Sequence, residues 1–367
     1  QAPPFKNYTF LLNAVDDSHG GLEHRNSTAL ICGRRDLPRQ TIKPAEGYTT
    51  LLGLISHEYF HTWNVKRLRP AEFARYNYAT ENYTQLLWFF EGFTSYYDDL
   101  LLRRAGLIDD ATYLKLLNKT VNQVWQTPGR RVQSVAQASF DAWVKYYRPD
   151  DNTPNATVSY YTKGALVALC LDLALRQAGH ICLDDVMRSL WQRCKAGPLK
   201  ESDLKSVLAS HKQLLIWEQL QGWVHGTDDL PLQELLQSAG VAATPEPDAL
   251  AQALGLRVAE SGGALTVKTV LRGGLAEQAG FASGDEWLAV EVATDAKATN
   301  TWRVRKLDDV LFYAGTAARV TALMARDQRV VRLDLQLPVH GAGAPSSTWQ
   351  LKLTKLDQPA WFAQSAA

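Results

Sequence analysis

The residues best suited to catalysis form the segment SHEYFH at residues 56–61. The segment contains an HExxH motif, and the apolar periodicity around it predicts a helix that continues to Pro70. Because four residues turn a helix by about 400°, the imidazoles of His57 and His61 are expected on one face, where they can hold two corners of a tetrahedral zinc site. Glu58 is then expected beside the metal, as the general base that accepts a proton from the attacking water.

A third metal ligand is predicted at Glu91, in the strongly apolar segment LWFFEGFTSYYDDL. A carboxylate among aromatic residues is costly to bury unless a cation accompanies it. Two histidines, one glutamate and an open fourth position are typical of a catalytic zinc site, not of a structural one. Asp98, two turns further along the same predicted helix, is a candidate to orient a ligand histidine, with a solvated surface position as the alternative.

The elements that must position these residues form a mainly helical region. Strand patterns are predicted at Tyr8–Val15 and Ser27–Cys32, so residues 1–48 are interpreted as a small β subdomain. Helical patterns dominate residues 49–239, and they cover residues 49–70, 83–105, 109–125, 163–178, 183–195 and 203–221.

A second domain is predicted at residues 249–367, after a linker at residues 240–248 (GVAATPEPD). Its expected strands are Ala264–Val270, Trp287–Val292 and Ala318–Met324, with a helix near Arg305–Tyr313 and a tail strand at Thr348–Leu353. The expected fold class is therefore α+β, with two domains in 367 residues.

Composition excludes several classes of function. The chain has 39 Lys and Arg against 38 Asp and Glu, so its net charge of +1 points to neither a nucleic-acid partner nor an anionic membrane. No apolar run reaches the roughly 20 residues of a membrane span. None of the four cysteines forms a CxxC pair, and Cys170 is expected to be a buried free thiol. A reduced, cytoplasmic setting is expected, with two disulfides and a periplasmic or secreted location as alternatives.

Three segments, HEYFHTWNVKRLRP, LWFFEGFTSYY and VSYYTKGALVALCLDL, resemble the glycyl aminopeptidase family of PDZ-containing zinc metallopeptidases. That family is related to aminopeptidase N and leukotriene hydrolase. The resemblance implies a thermolysin-like catalytic domain followed by a PDZ domain, with one zinc ion per chain. It also implies a further β-rich domain before the catalytic one. That domain is expected to be absent or removed here, because the sequence starts close to the catalytic lobe.

The resemblance also implies substrate-binding residues. In the related aminopeptidases a Gly-x-Met-Glu-Asn segment lies along the substrate, and its Glu binds the free α-amino group. The matching segment here contains Gly20, Gly21 and Glu23, with His24 in place of Asn. A surface hairpin is the alternative. Tyr161 matches the tyrosine that donates a hydrogen bond to the oxyanion in a Tyr-x-Lys-Gly segment; Tyr160 is the competing choice, and a packing role is the other alternative.

Two further features are interpreted from the sequence. The basic run Lys66-Arg67-Leu68-Arg69 is expected at a helix end, where cations suit the helix dipole, with substrate or interdomain contacts as the alternative. The segment Leu254-Gly255-Leu256 resembles the first loop of a PDZ domain. There the amides of Gly255 and Leu256 would bind a peptide carboxylate, unless the PDZ domain serves only interdomain packing.

The predicted function is therefore zinc-dependent removal of N-terminal residues, with family resemblance favouring small ones such as Gly or Ala. Its expected partners are peptides with a free N-terminus and, at the PDZ domain, a peptide or protein C-terminus. Two alternatives remain: a metalloendopeptidase, and a catalytically silent scaffold that recruits partners through the PDZ domain. Glu23 argues against the first alternative and the intact set of metal-site residues against the second.

Overall fold

The computed structural model describes residues 3–40, 46–179, 181–293, 298–338, 347–354 and 360–362. Buried apolar side chains form two separate cores. The larger core lies within the helical region and takes in residues of the C-terminal tail. The smaller core lies between residues 250 and 337.

A three-stranded sheet opens the described chain, and two of its strands were predicted from the sequence. It contains β1 (Thr9–Val15), β2 (Gly20–Glu23) and β3 (Ser27–Gly33) in the order β1-β3-β2. β1 runs parallel to β3, and β2 runs antiparallel to it. Within the described residues β2 is therefore an edge strand, and one row of its backbone groups has no strand partner.

The helical region follows this sheet, and its described residues form eleven α-helices and two short strands. They are α1 (Glu46–Phe60), β4 (Arg69–Pro70), α2 (Leu87–Phe90), α3 (Gly92–Arg104), α4 (Asp110–Trp125), α5 (Val135–Phe140), α6 (Thr153–Ala156), α7 (Thr162–Ala178), α8 (Leu183–Cys194), β5 (Pro198–Leu199), α9 (Glu201–Ser210), α10 (Leu214–His225) and α11 (Leu232–Ser238). β6 (Val241–Glu246) then follows α11.

Three predicted helices differ from the structure. The first ends at Phe60 rather than at Pro70, because the chain beyond it turns irregularly and Val65 has a φ of 137°, outside the helical region. The second, predicted over residues 83–105, is divided into α2 and α3 at Glu91. The third, over residues 203–221, is divided into α9 and α10 by a turn in which Lys212 has a φ of 63°.

Helix α7 is the centre of the larger core. Its residues from Lys163 to Leu175 are all buried, in contact with α3, α4, α10 and α11. The buried carboxylate of Asp172 accepts hydrogen bonds from the Tyr96 hydroxyl at 2.7 Å and the Leu183 amide at 2.7 Å. Cys170 is buried here as a free thiol, as predicted, and the other three cysteines are also free.

The smaller core is enclosed by a six-stranded sheet and three short helices. The elements are α12 (Leu250–Leu254), β7 (Leu256–Ser261), β8 (Ala264–Val270), α13 (Leu275–Ala279), β9 (Glu286–Ala293), β10 (Thr299–Arg303), α14 (Asp308–Ala314), β11 (Arg319–Arg326) and β12 (Arg329–Gln336). The strand order is β12-β11-β9-β8-β7, and β10 pairs with β9. All the strands predicted in this region are present; the PDZ assignment, the thermolysin-like arrangement and the domain boundaries stay predictions.

The predicted linker and tail strand are arranged differently from the expectation. Residues 241–246 form strand β6, which pairs antiparallel with β13 (Thr348–Leu353). β13 has the predicted bounds, but it packs on the helical region: Asn122 of α4 bonds both the amide and the carbonyl of Trp349, at 2.7 and 2.9 Å. The reason is burial, since Leu351 of this strand belongs to the larger core. The chain thus leaves the helical region after β6, forms the smaller core and returns to the helical region at β13.

Among the described residues, no single helix combines the length and the apolar character that crossing a membrane requires. The sharply bent pair formed by α7 and α8 meets that test by length and composition alone.

Candidate metal centre

Helix α1 presents the two histidines of the HExxH motif. His61 lies just beyond the last helical residue, but its amide still donates to the carbonyl of His57 at 3.2 Å, so the helical spacing continues through it. The two imidazole rings stand edge to face with their centres 4.6 Å apart. The predicted shared face is therefore present even though the helix is shorter than predicted.

Glu91 meets these histidines from the break between α2 and α3. Its Oε2 lies 3.4 Å from Nε2 of His57 and 3.3 Å from Nε2 of His61. One ligand atom from each of these three residues, which are called the metal group below, lies within 4.8 Å of the other two. A continuous helix was expected here; the break places the glutamate at the first turn of α3, where its side chain reaches the α1 histidines.

The other ring nitrogen of each histidine has a fixed partner. Nδ1 of His57 lies 3.0 Å from Oδ2 of Asp98. This contact agrees with the interpretation that Asp98 orients a ligand histidine. Nδ1 of His61 lies 2.8 Å from the backbone oxygen of Asn64, which can only accept a hydrogen bond. Both Nδ1 atoms therefore donate hydrogen bonds, which leaves the two Nε2 atoms beside Glu91 as the ring atoms available to a metal, as metal-binding histidines require.

Asn64 is a site residue that the sequence interpretation missed. Its side-chain amide donates to the carbonyl of Phe90 at 3.2 Å and to the hydroxyl of Thr94 at 3.3 Å. It thereby ties the loop after α1 to the segment that carries Glu91. The available signal in the sequence was an asparagine three residues after a ligand histidine.

The charges of this group favour a cation. Burial by itself lowers the pKa of His57, but the hydrogen bonds that His57 donates to the carboxylates of Asp98 and Glu91 outweigh it and raise the pKa to about 10. Burial would raise the pKa of Glu91, yet His61 and His57 hold it well below its usual range. The same negative potential that stabilises a protonated imidazole also attracts a metal cation. Two imidazoles and one carboxylate are a ligand set that zinc takes in catalytic sites, so these residues fit the predicted ion.

Glu58 lies beside the three ligands and is almost fully buried. Burial raises the pKa of its carboxyl group, against the opposing effect of His61 and His57. Within the part of the chain that the structure describes, no donor reaches its Oε2. A carboxylate with a raised pKa and an uncommitted oxygen is suited to accept a proton near neutral pH.

Strand β2 closes the site against Glu58. A Cβ atom built on Gly21 would lie 2.6 Å from Cγ of Glu58 and closer still to its carboxyl group. Gly20, its neighbour, faces open space: no atom lies within 4 Å of the position its Cβ would take. The close approach between β2 and α1 therefore requires a glycine at position 21. The sequence interpretation had explained this glycine only by the close approach of a substrate backbone.

A second close approach places Tyr161 near the metal group. Helices α3 and α7 cross at two glycines, and a Cβ on Gly92 would lie 2.5 Å from Cα of Gly164. Glu91 directly precedes the first of these glycines, and Tyr161 lies three residues before the second. The crossing therefore fixes the distance between the third ligand and the tyrosine.

The two neighbouring tyrosines have different surroundings. The ring centre of Tyr161 lies 6.3 Å from that of His57, whereas Tyr160 is 1% exposed and packs on Tyr146 with ring centres 4.8 Å apart. Burial, and next the charge of Glu91, raise the pKa of Tyr161 well above its usual value. Its phenol thus remains a hydrogen-bond donor. This geometry favours Tyr161 over Tyr160, although its catalytic role stays a prediction.

Glu23 lies at the end of β2, and its carboxylate has a partner within the chain. Oε1 of Glu23 is 3.0 Å from Nζ of Lys66, and their side chains are 20% and 26% exposed. The charge of Glu23 reaches the metal group, since it contributes to raising the pKa values of both Glu58 and His61. The favoured interpretation of the basic run was wrong for Lys66, because α1 ends six residues before it and the ammonium pairs with Glu23.

The predicted PDZ loop residues lie outside this group. Gly255 ends α12 with a φ of 72°, and its amide donates to the carbonyl of Gln252 at 3.0 Å. Gly255 and Leu256 line a cavity of about 360 Å³, to which the residues of the metal group contribute nothing. Their role in binding a carboxylate stays a prediction. In this conformation the Gly255 amide already donates to Gln252 and is not free to bind one.

Comparison with known proteins identifies a matching family and similar solved structures. Residues 50–167 match the M61 glycyl aminopeptidase family. An aminopeptidase N family protein from Idiomarina loihiensis is 34% identical, with a TM-score of 0.86 over 98% of this chain and 62% of that one. The fold is therefore aminopeptidase-like, and the chain spans less than two thirds of that relative.

More distant structures are similar over a smaller part of the chain. An M1 zinc metallopeptidase from Deinococcus radiodurans is 17% identical, with a TM-score of 0.41 over 63% of this chain and 42% of that one, which is too little to support an argument. No curated protein matches the chain.

Proposed function

We propose that this chain is a zinc-dependent aminopeptidase, because residues 50–167 match the M61 glycyl aminopeptidase family, the family that the sequence motifs resemble. The observation that carries the proposal is the convergence of His57, His61 and Glu91 within 4.8 Å, beside the buried carboxylate of Glu58. The family resemblance further favours small N-terminal residues, Gly or Ala, as the ones removed.

The proposed metal ligands are His57, His61 and Glu91, with about one zinc ion per chain. A bound zinc ion would supply Lewis-acid activation of water and of the scissile carbonyl. Glu58 takes the proton of the attacking water, for which its raised pKa and uncommitted oxygen suit it. The Tyr161 hydroxyl donates a hydrogen bond to the oxygen of the substrate carbonyl as negative charge develops there.

Glu23 gives the reaction its exopeptidase character. A peptide α-amino group has a pKa near 8, so it is mostly a cation at neutral pH and forms a charge-assisted hydrogen bond with a carboxylate. Glu23 stands at the end of β2, the strand whose Gly21 contacts the general base, so an amine held there places the first peptide bond near Glu58. An endopeptidase has no use for this carboxylate.

The test compares one peptide in free-amine and N-acetylated forms on the zinc-loaded protein. Acetylation removes the positive charge that would pair with Glu23 and adds bulk beside that carboxylate, so kcat/KM should fall by the equivalent of about 2–4 kcal/mol. Glu23→Gln should cost much of the same energy with the free peptide and little more with the blocked one.

Metal content supplies the control. His61→Ala and Glu91→Ala should lose the zinc measured by atomic spectroscopy, whereas Glu58→Gln should keep it and lose nearly all turnover. Full zinc retention in Glu91→Ala would show that the third ligand is wrong. Equal cleavage of free and blocked peptides, or products cut at internal bonds, would favour the metalloendopeptidase. Zinc binding without turnover of any peptide would favour the silent scaffold.

A further inference from the structure

Lys66 and Glu23 form an ion pair at the edge of the candidate active site. The two charged atoms are 3.0 Å apart, and the side chains of Lys66 and Glu23 are only 26% and 20% exposed. The pair joins β2, which bears Glu23, to the irregular chain that follows the metal-binding helix. A partly desolvated pair of this kind is stronger than an exposed one, since water screens it less.

The backbone around Lys66 is held in place by specific contacts. Val65, directly before it, has a φ of 137°, a conformation that a β-branched residue rarely adopts and that persists only where the surroundings enforce it. Arg67, directly after it, is 8% exposed and donates to the carbonyl of Thr62 at 2.8 Å. Lys66 is therefore held between two constrained residues.

Arg67 also ties this loop to the turn between β2 and β3. Its guanidinium donates to the backbone oxygen of Arg25 at 3.1 Å and to the side-chain oxygen of Asn26 at 3.2 Å. The loop and the strand that bear the two charges are thus fastened together just beyond Glu23. The contacts of Arg67 therefore fix the backbone on both sides of the ion pair, which distinguishes it from an ion pair between two flexible surface side chains.

We propose that Lys66 is a specificity-determining residue: its ammonium occupies Glu23 in the free protein and competes with the α-ammonium of the substrate for that carboxylate. The inference rests on the proposed aminopeptidase function. The substrate amine must share or replace an ammonium already in contact with Glu23, and two ammonium groups on one carboxylate repel each other. Binding of the free amine is therefore an exchange of one cation for another.

This exchange explains how a site containing Glu23, Glu58 and Glu91 can avoid holding every cationic group that reaches it. With Lys66 present, the binding free energy that a ligand gains at Glu23 is only the difference between its own contact with the carboxylate and the lysine contact that it replaces. Only an amine that is also positioned by the rest of the substrate gains enough to displace the lysine. Removing the positive charge of Lys66 should thus tighten binding of free amines in general.

The experiment measures peptide binding in a background without turnover. Zinc-loaded Glu58→Gln protein is titrated calorimetrically with one short peptide in free-amine and N-acetylated forms, with and without Lys66→Gln. Glutamine removes the charge and keeps a donor within reach of Glu23. We expect the Kd of the free-amine peptide to fall by about 3–10-fold, and the Kd of the acetylated peptide to stay within twofold.

Three controls make the result specific. Lys66→Arg keeps the charge and should leave both Kd values near those of the parent protein. Lys6→Gln removes a charge from an exposed position and should change neither. In a Glu23→Gln background, Lys66→Gln should have no further effect on the free-amine peptide, because the carboxylate for which the two cations compete is gone. Melting temperatures verify that each variant is folded.

The outcomes separate this inference from the proposed function. If the parent protein prefers the free-amine peptide but Lys66→Gln leaves its Kd unchanged or raises it, the competition is refuted while the aminopeptidase proposal stands. A raised Kd would mean that Lys66 supports Glu23 instead of opposing the substrate. If the parent protein binds free and acetylated peptides equally, the role of Glu23 fails, and the inference fails with it.

Discussion

Replacing Gly21 by Ala should remove activity without unfolding the protein or releasing its metal. The new Cβ would lie 2.6 Å from Cγ of Glu58, whereas two carbon atoms in contact stay about 3.5–4.0 Å apart. Either the general base or strand β2 must therefore move by about 1 Å. A displacement of that size in a reacting group costs about 10²-fold in rate, or about 2.7 kcal/mol of transition-state stabilisation.

The stability of the protein should change little. Gly21 lies in a strand and has no positive φ, so alanine can adopt its backbone conformation, and the loss of unfolded-state entropy favours the variant by about 0.4–1 kcal/mol. The side chain of Glu58 is flexible enough to rotate away from the added methyl group. We therefore expect the melting temperature and the zinc content to stay close to those of the parent protein, with the loss confined to kcat.

The assay is steady-state hydrolysis of a free-amine peptide, with zinc content and thermal melts measured on the same samples. Gly20→Ala is the matched control, since its Cβ meets no atom within 4 Å; any effect of that change should appear in KM and not in kcat. Combined with Glu58→Gln, the Gly21→Ala change should cost nothing more, because the displaced base is already lost. A Gly21→Ala variant with near-normal kcat would refute the reasoning, as would one that unfolds or loses its zinc.

Three further predictions follow from the contacts around the metal group. Tyr161→Phe should lower kcat by about 10²–10³ with KM little changed, as expected for the loss of a transition-state donor, and the assignment would move to Tyr160 if only its Phe variant showed that loss. Asp98→Asn should weaken zinc binding by about 10–100-fold in a chelator competition, because the histidine it contacts loses its orienting carboxylate; an unchanged affinity would argue against that role. Gly92→Ala should destabilise the protein by about 1–3 kcal/mol and lower its melting temperature, because the added Cβ meets the backbone of Gly164 at 2.5 Å; an unchanged melting temperature would mean that the two helices can separate freely.

Local patterns in the sequence were sufficient to predict several features of this protein. The HExxH spacing placed both histidines on one face of α1, because the geometry of a helix depends only on residues a few positions apart. For the same reason, strands β8 and β13 have the predicted bounds, and α7 begins one residue before its predicted start. Glu91 was selected as a ligand because a carboxylate among aromatic residues needs a cation, and that argument requires no coordinates.

The remaining features depend on residues that are distant in the sequence. The periodicity around Glu91 continues through the break that directs its side chain at α1, so a continuous helix was the natural prediction. The pairing of β6 with β13 joins segments about a hundred residues apart, and local composition described only a linker. Burial of Leu351 in the larger core decided the place of that strand, and burial is a property of the whole fold.

The sequence by itself therefore determined which residues carry the chemistry proposed for this protein: the two histidines, Glu58 and Glu91. Only the tertiary structure decided what those residues meet. It brought Gly21 against Glu58, Gly92 against Gly164 and Lys66 against Glu23. The physical reason is that composition and periodicity report the environment along one element, whereas a close approach or an ion pair is fixed by how two separate elements pack together.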